Sequence, residues 1–498
     1  MKAILAVLVG AAVSALAFPP FGPGVLIPLG IALFLTAIRL VPTARQGFLA
    51  GFLYGTLFIG LLMWWLIRLD WTALALAPVQ GVFYGALGWW LTRQRDQPPV
   101  VWLALAVGGW ALMELVRYRI PYGGMEWGAA GYALSDNVVT RFPAVMVGTS
   151  GLTVLVVMVA AIGALALTRS FERRLWWGVS GVLAVYALAG LVIGLGGQTD
   201  ADPLRAAIVQ GSTPCPFENC PPDQRLRTFS QHLELTRTIE PGSVDLVVWP
   251  EGSLGSANAD PVQNTEVGEA IGAEARRIGA WLLVGTDRPV SNTHWVNANV
   301  LFSPEGEIVG EYHKQLPVPF GEFIPFRSLF TRLIPELSRV PRDMIPGQGP
   351  VVFDLGSTNL GSVISWEGGF ARYARQHAVR GANLMVVATN NDSYGADAPT
   401  SEIFIGMTRM RATELGLDLI HGAVTGKSVI IDSRGFLLSE VADNGVQAIL
   451  QSQVVPRAPS IYAATGDVLM VGFALAGIVM WWRTRRLVVS GPLPSEEE

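Results

Sequence analysis

Long apolar runs, separated by short polar or turn-rich segments, fill the first two fifths of the chain and recur near its end. A transmembrane helix needs about 20 mostly apolar residues to cross the hydrocarbon core of a bilayer. Several of the runs are slightly short of this length and are extended by flanking residues. The pattern predicts eight transmembrane helices, centred on residues 3–18, 24–38, 48–67, 71–92, 99–116, 143–168, 175–197 and 467–482.

The first apolar run has a second interpretation. Lys2, the run itself and the small residues Ser14-Ala15-Leu16-Ala17 imitate a cleavable signal peptide. Six more apolar segments follow it directly, which is typical of a polytopic membrane protein. We therefore predict that the first run is an uncleaved helix.

Arginines near the helix ends predict the orientation. If the N-terminus is cytoplasmic, the loops on that side contain the majority of them, namely Arg39, Arg45, Arg93, Arg95, Arg169, Arg173, Arg174, Arg483, Arg485 and Arg486. The opposite loops contain Arg68, Arg117, Arg119 and Arg141. The positive-inside rule then predicts a multi-pass protein of the inner membrane with both termini in the cytoplasm and the long intervening segment in the periplasm.

That intervening segment, residues 198–463, alternates short apolar runs with polar helical patterns. The runs predict strands at Ala206–Gln210, Val244–Trp249, Trp281–Gly285, Ala298–Phe302, Gly361–Ser365, Leu384–Ala388 and Val429–Asp432. The polar patterns predict helices at about 223–240, 262–278, 367–381 and 400–416. Such alternation is typical of a layered α/β domain.

The predicted organisation therefore has four parts. Residues 1–197 form a seven-helix transmembrane domain, residues 198–463 an extracytoplasmic α/β domain, residues 464–486 the eighth transmembrane helix and residues 487–498 a cytoplasmic tail.

Composition agrees with this division. The chain has 498 residues, of which 51% are hydrophobic and 15% charged, and this balance excludes a purely soluble protein. Residues 1–200 contain 12 basic and 7 acidic side chains, whereas residues 201–498 contain 23 and 32. The net charge of −4 gives no case for nucleic-acid binding.

Cysteine and histidine usage limits the kinds of site. The two cysteines, Cys215 and Cys220, exclude a disulfide-rich scaffold and a four-cysteine zinc site, although their proximity permits one local disulfide. The five histidines show no metal-ligand spacing. We therefore predict neither a metal nor another cofactor.

The first candidate for chemistry is Glu251, which ends the strand-like run Val247-Val248-Trp249-Pro250. Open α/β sheets place their sites at the carboxyl ends of strands, and a carboxylate held there in a cleft suits a general base. The alternative is an acid at a helix N-terminus, stabilised by the helix macrodipole.

The second candidate is Lys314, followed eight residues later by Glu322 after a Pro-Phe-Gly bend. The chain contains only three lysines, Lys2, Lys314 and Lys427, so its ordinary surface cations are arginines. A lysine ammonium is a compact charge that can stabilise an oxyanion, and Glu322 could fold back to orient it. The alternatives are an exposed strand-end lysine and a solvated loop acid.

The third candidate is Ser365, where the strand-like run Ser362-Val363-Ile364 leads into Trp366-Glu367-Gly368-Gly369. A sharp turn from a strand into a helix presents one side chain above the sheet edge, beside free N–H groups. The alternative is that Ser365 is simply a helix N-cap.

These three segments, in this order, resemble the Glu-Lys-Cys triad of the nitrilase (carbon–nitrogen hydrolase) superfamily. Lying between seven predicted transmembrane helices and an eighth, they resemble its membrane branch, the apolipoprotein N-acyltransferase family. Further shared motifs are Ala17-Phe18-Pro19-Pro20-Phe21, Glu114 with Arg117, Trp127 to Tyr132, Val209-Gln210-Gly211, Pro319-Phe320-Gly321-Glu322, Asn391-Asp392-Ser393-Tyr394-Gly395 and Arg409-Met410-Arg411-Ala412-Thr413-Glu414. The resemblance covers nearly the whole chain and implies an αββα sandwich for the α/β domain.

By position, the resemblance implies that Glu251 is the general base and Lys314 the oxyanion stabiliser. It implies that Glu367 positions the site and that Glu322 is the second acid beside the lysine. Ser365 stands where the family has its cysteine nucleophile. A thiol is a few per cent thiolate at neutral pH, whereas a serine hydroxyl needs strong help from a base. Three explanations stay open: a slower serine nucleophile, a lost nucleophile, or substitution by Cys215 or Cys220.

The resemblance also implies the reaction. A phospholipid resembling phosphatidylethanolamine would donate its acyl chain to the enzyme, which would pass it to the α-amine of the diacylglyceryl-cysteine that begins an apolipoprotein. We expect a monomer. A catalytically silent homologue that binds lipid or lipoprotein and a membrane-anchored amidase are the alternatives.

Two further features receive predictions. The apolar segment 323–334 contains two arginines and is predicted to be an interfacial flap, unless it is a loop that covers the core. Four aromatic residues are predicted to bind substrate: Phe320, Phe323, Phe326 and Trp366. Glu114 and Arg117, spaced i and i+3, are predicted to form a structural ion pair rather than a catalytic one.

Overall fold

A computed structural model describes residues 1–69, 71–170, 173–196, 201–218, 221–395, 398–441 and 443–489. The chain divides into two compact units. One comprises Met1–Val192 together with Asp467–Glu498, and the other comprises Ile193–Gly466. The predicted boundary at residues 197 and 198, and the part of the predicted tail beyond residue 489, lie outside the described residues.

The first unit is helical. Its helices are α1 Lys2–Leu16, α2 Ile27–Leu40, α3 Ala44–Leu62, α4 Leu76–Thr92, α5 Pro99–Arg117, the short α6 Val138–Arg141, α7 Ala144–Leu167, α8 Arg173–Gly196, and a C-terminal helix Val468–Val489. Every apolar segment predicted to cross the membrane coincides with one of these helices.

Length separates these helices into two groups. Over the residues that the structure describes, five helices are long and apolar enough to span a membrane: Ala44–Leu62, Ala73–Thr92, Pro99–Arg117, Ala144–Leu167 and Val468–Arg485. Three shorter apolar helices, Lys2–Leu16, Gly24–Leu40 and Ser180–Gly190, coincide with the first, second and seventh predicted spans. The chain is thus a membrane protein, and the number eight remains a prediction.

Small residues bring the helices close together. A methyl group on Gly51 of α3 would lie 2.1 Å from the carbonyl oxygen of Tyr84 in α4. A methyl group on Gly108 of α5 would lie 2.6 Å from the Cα atom of Gly477 in the C-terminal helix. Transmembrane helices associate mainly through such close backbone contact, because lipid tails are as apolar as leucine side chains.

The second unit contains thirteen strands in its described residues. They are β1 Leu204–Gln210, β2 Leu246–Trp249, β3 Trp281–Pro289, β4 His294–Phe302, β5 Ile308–His313, β6 Asp343–Met344, β7 Val352–Asp354, β8 Asn359–Ile364, β9 Leu384–Thr389, β10 Leu419–Ala423, β11 Val429–Ile431, β12 Leu437–Glu440 and β13 Ala448–Val454. One sheet has the order β13-β1-β2-β3-β4-β5, with β6 beside β4, and the other has the order β12-β11-β10-β9-β8-β7.

The centre of each sheet is parallel and its edges are antiparallel, except that the short strand β6 pairs with β4 in parallel. Strands β1, β2 and β3 run parallel in one sheet, and β8, β9 and β10 run parallel in the other. The seven predicted strands are all confirmed. They include five of these six central strands, and the sixth, β10, was not predicted. The remaining strands were not predicted.

Six helices belong to the second unit: α9 Pro222–Arg237, α10 Thr265–Ile278, α11 Arg327–Leu333, α12 Ala371–Val379, α13 Thr400–Leu415 and α14 Ile461–Thr465. The predicted helix at 367–381 is wrong in its first residues. A 3₁₀ turn occupies Ser365–Gly369, and Phe370 is extended before α12 begins.

Three apolar clusters give this unit its layers. The central cluster joins the two sheets, with Val248 and Leu283 from one and Ile364 and Val386 from the other. The outer clusters pack α9 and α10 on the first sheet, and α12 and α13 on the second, as Ile271 and Ala412 illustrate. The order of layers is α/β/β/α, which confirms the predicted sandwich.

Candidate active site

Glu251 follows β2 and is almost fully buried, with 7% of its surface exposed. The side-chain amide of Asn297, in the neighbouring part of the sheet, donates a hydrogen bond of 2.7 Å to its Oε1. Turn residues follow Glu251, and the next helical turn begins only at Ala257. The alternative of an acid at a helix N-terminus is therefore wrong.

Lys314 follows β5, and its backbone N–H donates to the carbonyl oxygen of Asn297 at 2.9 Å. Its side chain is only 1% exposed. Its Nζ lies 2.6 Å from Oε1 of Glu322 and 3.5 Å from Oε1 of Glu251. The alternative of an exposed strand-end lysine is therefore wrong.

Glu322 reaches Lys314 because the chain folds back between these two residues. The backbone N–H of Val318 donates to Glu322 Oε2 at 2.8 Å, and the N–H of Met344 in β6 donates to the Glu322 carbonyl oxygen at the same distance. These bonds fix both the side chain and the backbone, so the acid is not a solvated loop residue.

Ser365 begins the 3₁₀ turn directly after β8, and Ile364 is the capping residue. The φ angle of Ser365 is 50°, in the left-handed region that residues other than glycine rarely adopt. Such strain is typical of functional positions. The Ser365 side chain lies close enough to the Glu251 carboxylate to stabilise its charged form. Ile364 is the capping residue of the turn, so Ser365 is not an N-cap.

Glu367 belongs to the same turn and is fully buried. It accepts hydrogen bonds from the Tyr312 hydroxyl at 2.8 Å and from three backbone N–H groups, those of Ile364 at 2.9 Å, Leu316 at 3.0 Å and Gln315. The carboxylate thus ties the end of β5 to the turn that carries Ser365. Its contacts are those of a positioning residue.

The electrostatics of the cluster follow from burying two carboxylates with one ammonium. Burial raises the pKa of Glu251, although the charge of Lys314 and the hydrogen bonds from Asn297 and Ser365 oppose the rise. Burial alone would lower the pKa of Lys314, but the charges of Glu322 and Glu251 outweigh it and raise that pKa. The lysine is therefore a permanent cation, and Glu251 binds a proton more tightly than an ordinary glutamate.

Two residues that contact the cluster, Asn297 and Tyr312, were not predicted from the sequence. Asn297 orients Glu251, and Tyr312 donates to Glu367. Asn297 carried a detectable signal, since it interrupts the apolar strand Val296–Phe302 and a buried amide needs a partner. Tyr312 carried none, because a tyrosine in a half-polar strand is unremarkable.

The aromatic candidates lie near the ends of the same segments. Trp366 and Phe320 are half-buried and contact other rings. The ring centroids of Trp366 and Phe370 are 5.5 Å apart, and those of Phe320 and Phe330 are 5.4 Å apart. Phe323 is also half-buried, whereas Phe326 is 71% exposed. Lipid binding by these four side chains remains a prediction.

The predicted flap contains α11, which buries none of its residues. Leu329 and Leu333 expose their apolar side chains, and Arg327 fixes the start of the helix by binding Asp343. A loop that covers the core would bury such leucines. The contacts therefore favour the interfacial flap.

The remaining candidates fall outside this cluster. Cys215 is disulfide-bonded and so offers no free thiol in place of Ser365, while Cys220 lies outside the described residues. Lys427 pairs with Glu402 at 2.7 Å. Among the residues described, no group of three or more His, Cys, Asp or Glu side chains could hold a metal ion.

Glu114 and Arg117 form the predicted ion pair in the helical unit. Both are fully buried, with Arg117 Nε donating to Glu114 Oε2 at 2.8 Å. Arg117 also donates to the Trp127 carbonyl oxygen at 2.9 Å, and the Trp110 indole donates to Glu114 at 3.2 Å.

Comparison with known proteins finds a family match in each unit. Residues 10–162 match the apolipoprotein N-acyltransferase N-terminal domain, and residues 205–456, just over half of the chain, match the carbon–nitrogen hydrolase family. The apolipoprotein N-acyltransferase of Rhodopseudomonas palustris is 29% identical over 94% of this chain and 92% of its own length. That of Geobacter metallireducens is 27% identical over 93% of this chain and 92% of its own length.

Among solved structures, an amidase from Nesterenkonia sp. is 18% identical, covers 53% of this chain and 94% of its own, and gives a TM-score of 0.39. The resemblance predicted from the sequence motifs is confirmed by the family matches. The chain belongs to the carbon–nitrogen hydrolase family, in the branch that carries an apolipoprotein N-acyltransferase N-terminal domain.

Proposed function

We propose that this protein is an apolipoprotein N-acyltransferase that moves an acyl chain from a phospholipid to the N-terminal α-amine of diacylglyceryl-cysteine in apolipoproteins. The matches over both units, together with relatives of that name along more than nine tenths of the chain, support the reaction. The observation that carries it is the buried cluster of Glu251, Lys314 and Ser365.

In the first half-reaction, Glu251 takes the hydroxyl proton of Ser365 as the oxygen attacks the sn-1 acyl carbonyl of the donor. The ammonium of Lys314 stabilises the tetrahedral oxyanion. Glu251 then returns the proton to the departing glycerol oxygen, which releases a lysophospholipid and leaves an ester on Ser365. The donor resembles phosphatidylethanolamine.

In the second half-reaction, the neutral α-amine of the acceptor attacks the ester carbonyl and gives its proton to Glu251. The proton passes to the Ser365 oxygen as the carbon–oxygen bond breaks, and the product leaves as an amide. An ester is a poorer acyl donor to an amine than a thioester, so this step is expected to be slower than in a cysteine enzyme. Glu322 and Glu367 hold the lysine and the turn in place.

The same proposal gives the protein a location. It spans the inner membrane as a monomer with both termini in the cytoplasm, and the unit that contains the cluster lies on the periplasmic side. The distribution of arginines around the apolar segments supports this orientation. The exposed apolar flap supports access of lipid to the cluster from the membrane surface.

The second candidate is a catalytically silent homologue that binds lipid or lipoprotein. Ser365 in place of the family's cysteine favours it. The proximity of Ser365 to the Glu251 carboxylate, together with the strained turn, favours an active serine instead. A membrane-anchored amidase is disfavoured by the match of the helical unit, since a soluble amide requires no such unit.

Mass spectrometry of the intact protein after incubation with phosphatidylethanolamine tests the proposal. Three forms are compared: the natural chain, Ser365→Ala and Ser365→Cys. We expect one acyl adduct on the natural chain, none on Ser365→Ala, and adduct formation in Ser365→Cys that is faster by at least about tenfold, because a thiolate is the better nucleophile. Adding a diacylglyceryl peptide should then discharge the adduct as an amide.

The outcomes separate the candidates. An adduct only on Ser365→Cys supports the silent homologue, because the scaffold would then be competent and the serine would not. An adduct that persists in Ser365→Ala contradicts the assignment of the nucleophile. An adduct that water discharges while the amine does not would support a hydrolase.

A further inference from the structure

A cavity of about 570 Å³ lies in the helical unit, between α4, α5 and the C-terminal helix. Its volume is that of a pocket for a small molecule. None of the residues of the candidate active site lines it. We call this cavity the α4–α5 groove.

The floor of the groove consists of small residues. Gly108 and Gly109 of α5 face Ala474 and Gly477 of the C-terminal helix, and the two backbones approach closely at Gly108 and Gly477. Larger apolar side chains such as Leu112 and Ile478 form the walls and are partly exposed. The interior of the groove thus suits a hydrocarbon chain.

One end of the groove is basic. Arg93, at the end of α4, lies over the Trp89 ring at 3.7 Å, and Arg485, near the end of the C-terminal helix, lies over the Trp481 ring at 4.3 Å. Within the part of the chain that the structure describes, neither guanidinium forms an ion pair with a carboxylate. The nearby acid, Asp96, pairs with Arg95 instead, at 3.5 Å.

Trp481 adds an unused hydrogen-bond donor. Its indole Nε1 is buried and has no acceptor among the described residues. A polar group buried in an apolar environment costs free energy unless it is bonded, and a lipid ester or phosphate oxygen is an acceptor that a membrane supplies. The donor lies on the same side of the groove as Arg485.

We propose that the α4–α5 groove is a binding site for an anionic phospholipid. The arginines Arg93 and Arg485 bind the phosphate, the Trp481 indole donates to the phosphate or to an ester oxygen, and an acyl chain lies along the small-residue floor. Two unpaired cations favour a headgroup with a net negative charge over a zwitterionic one. This site contains none of the residues proposed for acyl transfer, so lipid binding there does not depend on the proposed reaction.

Native mass spectrometry of the full-length protein in detergent tests the proposal, with dioleoyl phosphatidylglycerol and dioleoyl phosphatidylcholine as probes. The anionic lipid should bind at least about tenfold more tightly, since each guanidinium near the membrane surface contributes to the attraction. The double variant Arg93→Gln and Arg485→Gln should remove this preference. The matched double variant Arg45→Gln and Arg119→Gln, at exposed arginines outside the groove, should retain it.

A second variant keeps the charges and fills the space. Leu112→Trp should weaken the binding of both lipids although Arg93 and Arg485 are retained, because the larger side chain occupies the space of the acyl chain. Equal binding of the two lipids by the natural chain, or an unchanged preference in the Arg93 and Arg485 double variant, overturns the proposal. So does inorganic phosphate that competes at millimolar concentration, which would indicate a simple anion site.

The same samples distinguish a protein occupant from a lipid. If the natural chain is dimeric and the Leu112→Trp variant is monomeric, without any change in lipid preference, the groove is an interface between copies and the lipid proposal is wrong. The proposal expects the same oligomeric state in both.

Discussion

Each unit of this protein buries a charged cluster, and the two clusters differ in their balance. In the helical unit, one carboxylate, Glu114, meets one guanidinium, Arg117, and neutral donors and acceptors surround them. In the sheet-containing unit, Glu251 and Glu322 share the single ammonium of Lys314. A strained turn also presents the Ser365 hydroxyl to that second cluster.

The difference separates a structural ion pair from a reactive one. A balanced pair gains its energy by remaining as it is, since either charge alone would be costly to bury. Two carboxylates on one cation leave an excess negative charge, so that one of them can accept a proton without disrupting the cluster. Burial is the main reason that the pKa of Glu251 is raised, and the negative charge of Glu322 adds to the rise.

Removing Lys314 should have the largest effect on this comparison. Lys314→Met leaves two carboxylates buried without a cation, so we expect the free energy of unfolding to fall by about 3–5 kcal/mol. Acylation should fall by about 10²–10³-fold or more, through loss of the oxyanion partner. Thermal unfolding in detergent and the rate of adduct formation measure the two effects.

Lys427→Met is the matched control. That lysine lies in the same unit but pairs with one carboxylate and is 27% exposed, so its removal should cost about 0–1 kcal/mol and leave acylation unchanged. Equal effects of the two substitutions would contradict the special position of Lys314.

Glu251→Gln should affect rate more than stability. The amide cannot take the Ser365 proton, and acylation should fall by about 10²–10⁴-fold, while the loss of one of two buried acids beside Lys314 is tolerated. Glu274→Gln is the control, because Glu274 is similarly buried at 8% exposed but pairs with Arg277 on α10. A Glu251→Gln protein that acylates at the natural rate would remove Glu251 from the mechanism.

The balanced pair should behave in the opposite way. Glu114→Gln strands Arg117 in the helical unit and should destabilise it by about 3–5 kcal/mol, with the folded fraction retaining its acylation rate. Adding Arg117→Met should recover part of the loss, since a buried pair can be replaced as a pair. Loss of acylation in folded Glu114→Gln protein would indicate that this pair also serves the reaction.

The smallest expected effect is a divergence of rate and stability with pH. A base with a raised pKa becomes protonated as pH falls, so acylation should decline at a higher pH than it would for an ordinary glutamate. Burial raises the pKa of Glu367 from 4.5 to about 7. Because the folded state then binds that proton more tightly than the unfolded state does, stability should fall as pH rises from about 4.5 to 7.

Parallel measurements of thermal unfolding and acylation across this range test the divergence. The contribution of Glu367 should be absent from the stability profile of Glu367→Gln. A stability that rises with pH across this range would contradict the raised pKa of Glu367. A rate that stays constant across it would contradict the raised pKa of Glu251.

The fold was predictable where a strand is both buried and apolar throughout, whereas β10, which is fully buried but contains His421 and Gly422, was missed. Strands such as β2 and β9 lie between two apolar layers and therefore appear as unbroken apolar runs. The edge strands β12 and β13 are exposed or half-buried at most positions and contain polar or charged side chains, so their patterns resemble those of loops. Most of the 3₁₀ turn at Ser365–Gly369 falls within the helix predicted at 367–381, because the polar pattern continues across the extended Phe370 into α12.

The site was predictable only as far as its chemistry leaves a local mark. Glu251 and Ser365 each follow a strand that the apolar pattern predicted, whereas Lys314 follows β5, which it did not predict. Their meeting depends on β5 and β6, two short strands that the apolar pattern did not indicate, since β6 holds Glu322 in place. The left-handed backbone of Ser365 had no signal at all, because serine has no preference for that region.

The scarcity of lysine gives this molecule a built-in chemical reporter. Lys314 is inaccessible, whereas Lys427 in the same unit has more than a quarter of its side chain in contact with solvent. Amine-reactive reagents should therefore label the sheet-containing unit at a single position while the cluster is closed. Labelling of Lys314 would therefore identify the conditions that expose the cluster to water, and it can be measured in an intact membrane.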